Sequence, residues 1–381
     1  MRSLQGEDQM KHLAILGAAA LLAAPAQASP LTDQFSSFSV LGDSLSDIGN
    51  TERLLGILAP PAPPSTTPPT DAETNFARLR APGVFSDGPT WAAGLTNEFR
   101  NNGKTGVNLS FAGALAANNW DPVPDLLAQI FAPANLPLPV TPPVSTYADG
   151  LGGLLNAPTA PGMPPTLNAA RNLGTTPLVS VFIGGNDFLN AANSIDSAAP
   201  DFTALKTALG SALTTVQGGL QALAGAGVRD FVVMNLPDFG LIPRFQNEAP
   251  AFQDQLSAMA ADYNTQLSAF LQGNNLFGAT VTEVDVFDAL SDQALLASRG
   301  ITDTQNACVQ TVSTTAPSCA GFLFFDDIHP TAAGHALIND ITRAALNDTY
   351  QLAPVPLPAS VLLLLSALGG TFVLRRRKRA S

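Results

Sequence analysis

Short runs rich in β-branched and aromatic residues recur along the chain, at 35–41 (FSSFSVL), 107–112 (VNLSFA), 177–183 (PLVSVFI), 229–236 (RDFVVMNL) and 279–287 (ATVTEVDVF). Between them lie longer Ala-rich or amphipathic stretches near 89–101, 203–226, 249–272 and 331–347. Strands that alternate with helices predict a parallel sheet covered on both faces, a three-layer α/β/α sandwich of flavodoxin-like type. In open sheets of this kind ligands gather beyond the carboxyl ends of the strands, so the residues just after each run are the ones to inspect. Two stretches break the alternation: LAPPAPPSTTPPT (58–70) and the Pro/Gly-rich region 133–165. Their prolines exclude regular ladders, and they read equally as rims of a substrate pocket or as solvated loops.

The two ends need separate treatment before fold is considered. From Met10, a basic start (Lys11), an apolar stretch Leu13 to Ala24 and the small-residue site AQA ending at Ala28 read as a secretory signal peptide. At the other end, sixteen uncharged residues, Ala359 to Leu374, precede five cations, Arg375 to Arg379. Such a helix is slightly short for a hydrocarbon core of about 30 Å, and its basic end would stay on the cytoplasmic side. A buried C-terminal helix is the alternative. The chain thus divides into a leader (1–28), a body (29–350) and a tail (351–381).

A length of 381 residues with 46% hydrophobic content supplies ample core. The leader holds two of the 18 cations and two of the 30 acids, and the tail five cations, which leaves the body 11 against 28, a net charge of −17. So acidic a body argues against nucleic-acid or anionic-lipid partners. Cys308 and Cys319 are the two cysteines, and in an exported protein such a pair is expected to form a disulfide rather than a metal site, which would need more soft ligands nearby.

The first strand ends abruptly in VLGDSLSDIGN (40–50). Gly42, Asp43 and Ser44 read as a simple turn, or as a turn that lifts the Ser44 hydroxyl out of the sheet edge as a nucleophile, with Asp47 and Asn50 opening the next segment. The second reading needs a histidine, an acid and an oxyanion hole elsewhere. The body holds two histidines, His329 and His335, in FFDDIHPTAAGH. Pro330 suits the first turn of a helix, which would place His329 at its mouth and His335 inside it as a packing residue. Asp326, three residues before His329, has the spacing to hold one imidazole nitrogen; Asp327 competes, and both acids could instead cap the helix. After the third run, GGNDF offers Gly184 and Gly185 for a tight exit, the Asn186 amide as a donor to an oxyanion, and Asp187 as a brace, or else an ordinary turn. Gly113, in SFAGALA after the second run, places a backbone N–H near the same edge.

Taken together, these residues resemble the four blocks of GDSL-type serine ester hydrolases of the SGNH superfamily: FSVLGDSLSDIGN, NLSFAGALA, VFIGGNDFL and FFDDIHPTAAGH. GVFSDGPTWAAGL (83–95) is similar to a segment between the first two blocks of plant-like members. The resemblance covers Phe35 to about Leu346. The second block departs from the usual Gly-Gly pair and keeps Gly113 alone. The resemblance implies Ser44 as nucleophile, His329 as general base and acid, and Asp326 as the orienting acid. It also implies an oxyanion hole of the Ser44 and Gly113 amides with the Asn186 side chain, and no metal or organic cofactor. The substrate would be an acyl ester, with an acylated polysaccharide or a non-catalytic surface role as alternatives. The tail, through VPLPAS, resembles the PEP-CTERM-like sorting signals of exported bacterial proteins. That likeness implies a membrane span, then processing from about Val355 by a membrane transpeptidase, and release at the cell surface or into the matrix.

Overall fold

The computed structural model describes residues 31–53, 70–116, 151, 153–156 and 163–352, with the backbone of 27–28 and 354–355. The apolar stretch of the leader, the stretch 359–374, nearly all of 58–70 and most of 133–165 lie outside the described residues. Residues Leu31–Thr349 form one compact unit; in a second, Gln27–Ala28 pairs antiparallel with Pro354–Val355. No helix of the described residues is long and apolar enough to cross a membrane.

The large unit is built on five parallel strands: β1 (Ser37–Gly42), β2 (Thr105–Asn108), β3 (Pro177–Phe182), β4 (Asp230–Met234) and β5 (Thr280–Val284), in the order β2-β1-β3-β4-β5. Every residue of β1 and β3 is buried, as befits strands covered on both faces. The helices are α1 (Asp71–Leu79), α2 (Trp91–Asn101), α3 (Gly185–Ala192), α4 (Thr203–Gly225), α5 (Pro250–Gln272) and α6 (Ala332–Tyr350). Helix α2 packs on β1 and β2, and α4 against α3 and α5. From β1 the chain runs to β2 on one side and then to β3 on the other, so the strand order reverses between β1 and β3. Beyond the carboxyl ends of those two strands lies the crevice where such sheets bind ligands.

Several elements differ from the sequence reading for local reasons. The second strand starts at Thr105 and stops at Asn108, short of 112, because the Asn108 side chain leaves the ladder: its Nδ2 donates to Ser46 O (2.8 Å) and its Oδ1 accepts from Ser110 N (3.0 Å). The fifth ends at Val284 because Asp285 caps the short helix Val286–Ser291. Helix α1 follows a Thr70/Glu73 capping box that the pattern reading passed over. Leu155–Asn156, in the Pro/Gly-rich region, pairs over two residues with Thr166–Leu167, just beyond its end.

Outside the main sheet, Asp303–Ala307 runs parallel to Phe322–Phe324, and Cys308 and Cys319 form a disulfide. The disulfide packs in a small apolar cluster with Val309 and Phe325, and Phe76 and Leu79 of α1 lie against it. Replacing both cysteines by serine should lower the unfolding free energy by about 2–4 kcal/mol in urea denaturation, while the far-ultraviolet dichroism of the parallel sheet stays as it was.

Candidate active site

The crevice is furnished by the segments that leave β1, β2 and β3 and by the loop before α6. At the end of β1, Gly42 is demanded by space and not by its backbone angles. A Cβ there would sit 2.7 Å from the Phe182 carbonyl and 2.9 Å from Ser46. The turn then closes through Ser46 N–H and Asp47 N–H to the Asp43 carbonyl (3.1 and 3.0 Å), and Leu45 N–H donates to Asp43 Oδ1 (3.0 Å). Asp47 caps the next turn by accepting from Gly49, Asn50 and Thr51. Asn50 reaches across to the segment after β2, its Nδ2 donating to Asn108 O, Asn108 Oδ1 and Ser110 O at 2.9–3.0 Å. Trp91 and Thr90 of the 83–95 stretch hold the other side, at Ser46 Oγ (3.1 Å) and Asp47 O (3.2 Å).

This turn presents Ser44, whose Oγ lies 2.8 Å from His329 Nε2. His329 Nδ1 faces Asp326, 2.8 Å from Oδ2 and 3.0 Å from Oδ1. A carboxylate at Nδ1 selects the tautomer with the proton there, which leaves Nε2 to accept from the serine. Asp326 is itself oriented by the N–H groups of Ile328 (2.9 Å) and His329 (2.7 Å). Burial pushes the carboxyl pKa up, and the His329 charge and these hydrogen bonds outweigh it, holding it below the ordinary value. For His329, burial pulls the pKa down, and the Asp326 carboxylate with its hydrogen bond outweighs that, leaving the imidazole above its ordinary value.

Asp327, the competing acid, pairs instead with Arg244 (2.8 Å). Pro330 is not in the first helical turn. Helix α6 begins at Ala332, where the Thr331 hydroxyl accepts from Gly334 N–H (3.3 Å) and Asp87 accepts from Ala332 N–H (2.7 Å). Pro330 instead bridges to Phe324, and Phe325 N–H donates to His329 O (2.8 Å), so His329 rides on a closed loop. His335 is buried inside α6, its Nδ1 without a partner among the described residues, and burial depresses its pKa to about 3, which leaves it neutral.

Gly184 adopts φ +113° and starts α3 at once, so GGNDF is a helix entry and not a plain turn. Asn186 in that first turn lines the crevice beside Ser44, and its Nδ2 donates one hydrogen to Ala114 O (3.0 Å). The Asp187 carboxylate braces the same segment by accepting from Ala116 N–H (2.8 Å). Around Gly113, the amides of Ala112, Ala114 and Ala116 are engaged, whereas those of Gly113 and Ser44 meet no acceptor among the described residues.

Three features escaped the sequence reading. The ring of Phe85 stacks on His329, centroids 5.2 Å apart, a role only hinted at by its place in the 83–95 stretch. Asp43 is buried against Gly185, and desolvation raises its carboxyl to about 7, with Asp187 adding to the rise. Beside Ser44 opens a narrow apolar cleft with a cavity volume of about 30 Å³, walled by Phe182, Leu189, Phe239, Ile242, Leu290 and Ile328 among others. A metal would find no cluster of three or more His, Cys, Asp or Glu ligands among the described residues.

The family model of the GDSL-like lipases and acylhydrolases matches residues 39–341, most of the chain. Among curated proteins the chain is similar to the inactive GDSL esterase/lipase-like protein 25 of Arabidopsis thaliana, 24% identical over 204 residues that cover 48% of each chain. It is also similar to the esterase EstA of Pseudomonas aeruginosa, 28% identical over 208 residues, 49% of this chain and 29% of that one. It thus spans less than half the length of these relatives. Solved structures similar to it include the phospholipase A1 of Streptomyces albidoflavus NA297, at 15% identity and a TM-score of 0.36, covering 83% of this chain and 99% of that one. An acetyl xylan esterase, AlAXEase, is similar at 11% identity and a TM-score of 0.35, covering 81% and 99%. By the match of the family model, the chain belongs to the GDSL-like lipase/acylhydrolase family.

Proposed function

We propose that this chain is an exported serine hydrolase of carboxylic esters with small apolar acyl groups. The observation that carries the reading is the unbroken relay from Ser44 Oγ through His329 to Asp326, with both heavy-atom distances at 2.8 Å. In it, Nε2 takes the serine proton as Oγ attacks the ester carbonyl, and Asp326 stabilises the imidazolium that forms. The negative oxygen of the tetrahedral intermediate meets the unengaged amides of Ser44 and Gly113 and the second hydrogen of Asn186 Nδ2. Collapse expels the alcohol, which takes the proton from His329, and a water activated by the same nitrogen releases the acid from Ser44. One relative carries the word inactive in its name; the complete relay here supports the catalytic reading over a binding role. The apolar cleft beside Ser44 supports a hydrocarbon acyl group, whatever alcohol, small or glycan, carries it.

Export rests on the sequence pattern of the leader, 1–28, ahead of the body, 29–350. The tail, 351–381, is read as a sorting segment with a membrane span, processed by a transpeptidase. N-terminal sequencing of the protein recovered from outside the cytoplasm should begin at Ser29.

On p-nitrophenyl esters from acetate to decanoate, Ser44→Ala should lose about 10⁴–10⁶ in kcat and Asn186→Ala about 10²–10³, each with the fold intact by circular dichroism. A Ser44→Ala variant as active as the parent would overturn the assignment. Because His329 must be neutral to accept the serine proton, kcat/KM should rise with pH through a value above the ordinary imidazole range. In Asp326→Asn the largest influence opposing burial is lost, leaving only the weaker charges of Asp43 and Asp327, so the residual activity should show that limb at lower pH.

A further inference from the structure

The acyl cleft has two walls with separate supports. One is the segment Pro237–Ile242, the other the loop from Phe324 to Pro330 that carries Asp326 and His329. The first wall is fastened to the body of the protein. Asp238 accepts from Gly240 N–H (2.9 Å) and from the Ser257 hydroxyl of α5, Phe239 stacks on Phe188 of α3 at 4.3 Å, and Gln253 of α5 donates to the Phe245 and Glu248 carbonyls (2.9 and 3.1 Å). The second wall is held from the other side, by the Phe324 to Pro330 bridge and by Val309 N–H to the Phe325 carbonyl (3.0 Å), next to the disulfide. Between the two walls run an ion pair, Arg244 Nε to Asp327 Oδ2 at 2.8 Å, and a backbone hydrogen bond from Arg244 N–H to the Asp327 carbonyl at 3.0 Å.

We infer that the Arg244–Asp327 pair is a clamp that sets the width of the acyl cleft, and with it the length of acyl chain the enzyme accepts. The inference rests on the ester-hydrolase reading of the site and names the specificity device within it. Asp327 is therefore a positioning residue and not the acid of the relay, although it stands next to Asp326 in the chain. With the clamp closed the apolar walls favour a short acyl group, and a longer chain must part them. Because each wall keeps its own anchors, breaking the pair lets the gap widen without unfolding either. The two side chains are about one third exposed, so the charge part of the clamp is open to screening by salt.

The test compares parent, Arg244→Gln, Asp327→Asn and the exchanged pair Arg244→Asp/Asp327→Arg on p-nitrophenyl acetate and decanoate. The ratio of kcat/KM for decanoate over acetate should rise at least fivefold in both single variants and return toward the parent value in the exchanged pair. High salt should move the parent's ratio in the same direction by a smaller factor. The single variants act on His329 with opposite sign, since one removes a nearby negative charge and the other uncovers it, so a shift in chain-length ratio common to both belongs to the cleft. A ratio within twofold of the parent in both single variants overturns the clamp, and so does an equal loss on both esters in folded protein. Decanoate binding to the Ser44→Ala protein, with and without Arg244→Gln, gives a reading that needs no turnover. Tighter binding on release of the clamp is expected there, and an unchanged affinity overturns the inference. A parent that cleaves no ester yet shows this change in affinity would fault the hydrolase reading and leave the clamp standing.

Discussion

The contact on which the site depends is the 2.8 Å hydrogen bond between Ser44 and His329, groups 285 positions apart in the chain. Sequence neighbours shape the turn around each residue, but they do not bring the two together. Ser44 is carried by the first strand of the sheet and His329 by a loop just ahead of the last long helix, so nearly the whole fold must close before they meet. A small error in either support would break the bond, because a hydrogen bond weakens steeply once distance or angle departs from its narrow range. The density of secondary contacts around both loops is what that tolerance requires.

On the serine side the tolerance is met by polar side chains that join one loop to another. Asn50 ties the turn after β1 to the segment after β2, Asn108 returns a bond to Ser46, and Trp91 and Thr90 hold the turn from the direction of α2. On the histidine side the Phe324–Pro330 bridge closes the loop, and Phe85 covers the imidazole face. Sites built in this way are rigid because each loop is braced against another loop as well as against the sheet.

The alternation of strands and helices was legible because parallel strands covered on both faces must be apolar throughout, and the five runs show it. Their ends were less legible. At 107–112 and 279–287 the apolar run continues past the ladder, and a single side chain, Asn108 or Asp285, decides where pairing stops. Ser44, Gly113 and Asn186 stood out as candidates because each follows a predicted strand, and Asp326 and His329 because of their three-residue spacing ahead of the predicted helical stretch 331–347. The residues alone left Asp326 and Asp327 open, since adjacent carboxylates have the same local chemistry, and only the family resemblance favoured Asp326. The choice is made by Arg244, 83 positions away, which engages one of them. Arg244 and the Pro237–Ile242 wall carry no local pattern, and only the closed fold shows what they face.

Four carboxyls gathered around Ser44 differ in the same way, by partners that only the fold supplies. Asp43, Asp47, Asp187 and Asp326 are all withdrawn from solvent within one acidic body, and each accepts hydrogen bonds from loop amides: Leu45; Gly49, Asn50 and Thr51; Ala116; Ile328 and His329. Backbone donors of this kind let a loop-rich sheet edge bury acids without lysine or arginine at every one of them. Among the four, the differences in environment are differences in what else the carboxyl meets. Asp43 meets desolvation that the Leu45 amide and the His329 charge do not offset, and its pKa rises to about 7. Asp326 meets an imidazole, and its pKa falls. Asp326 is thus distinguished from the other three by its direct hydrogen bond to the imidazole, while the others brace the loops around it.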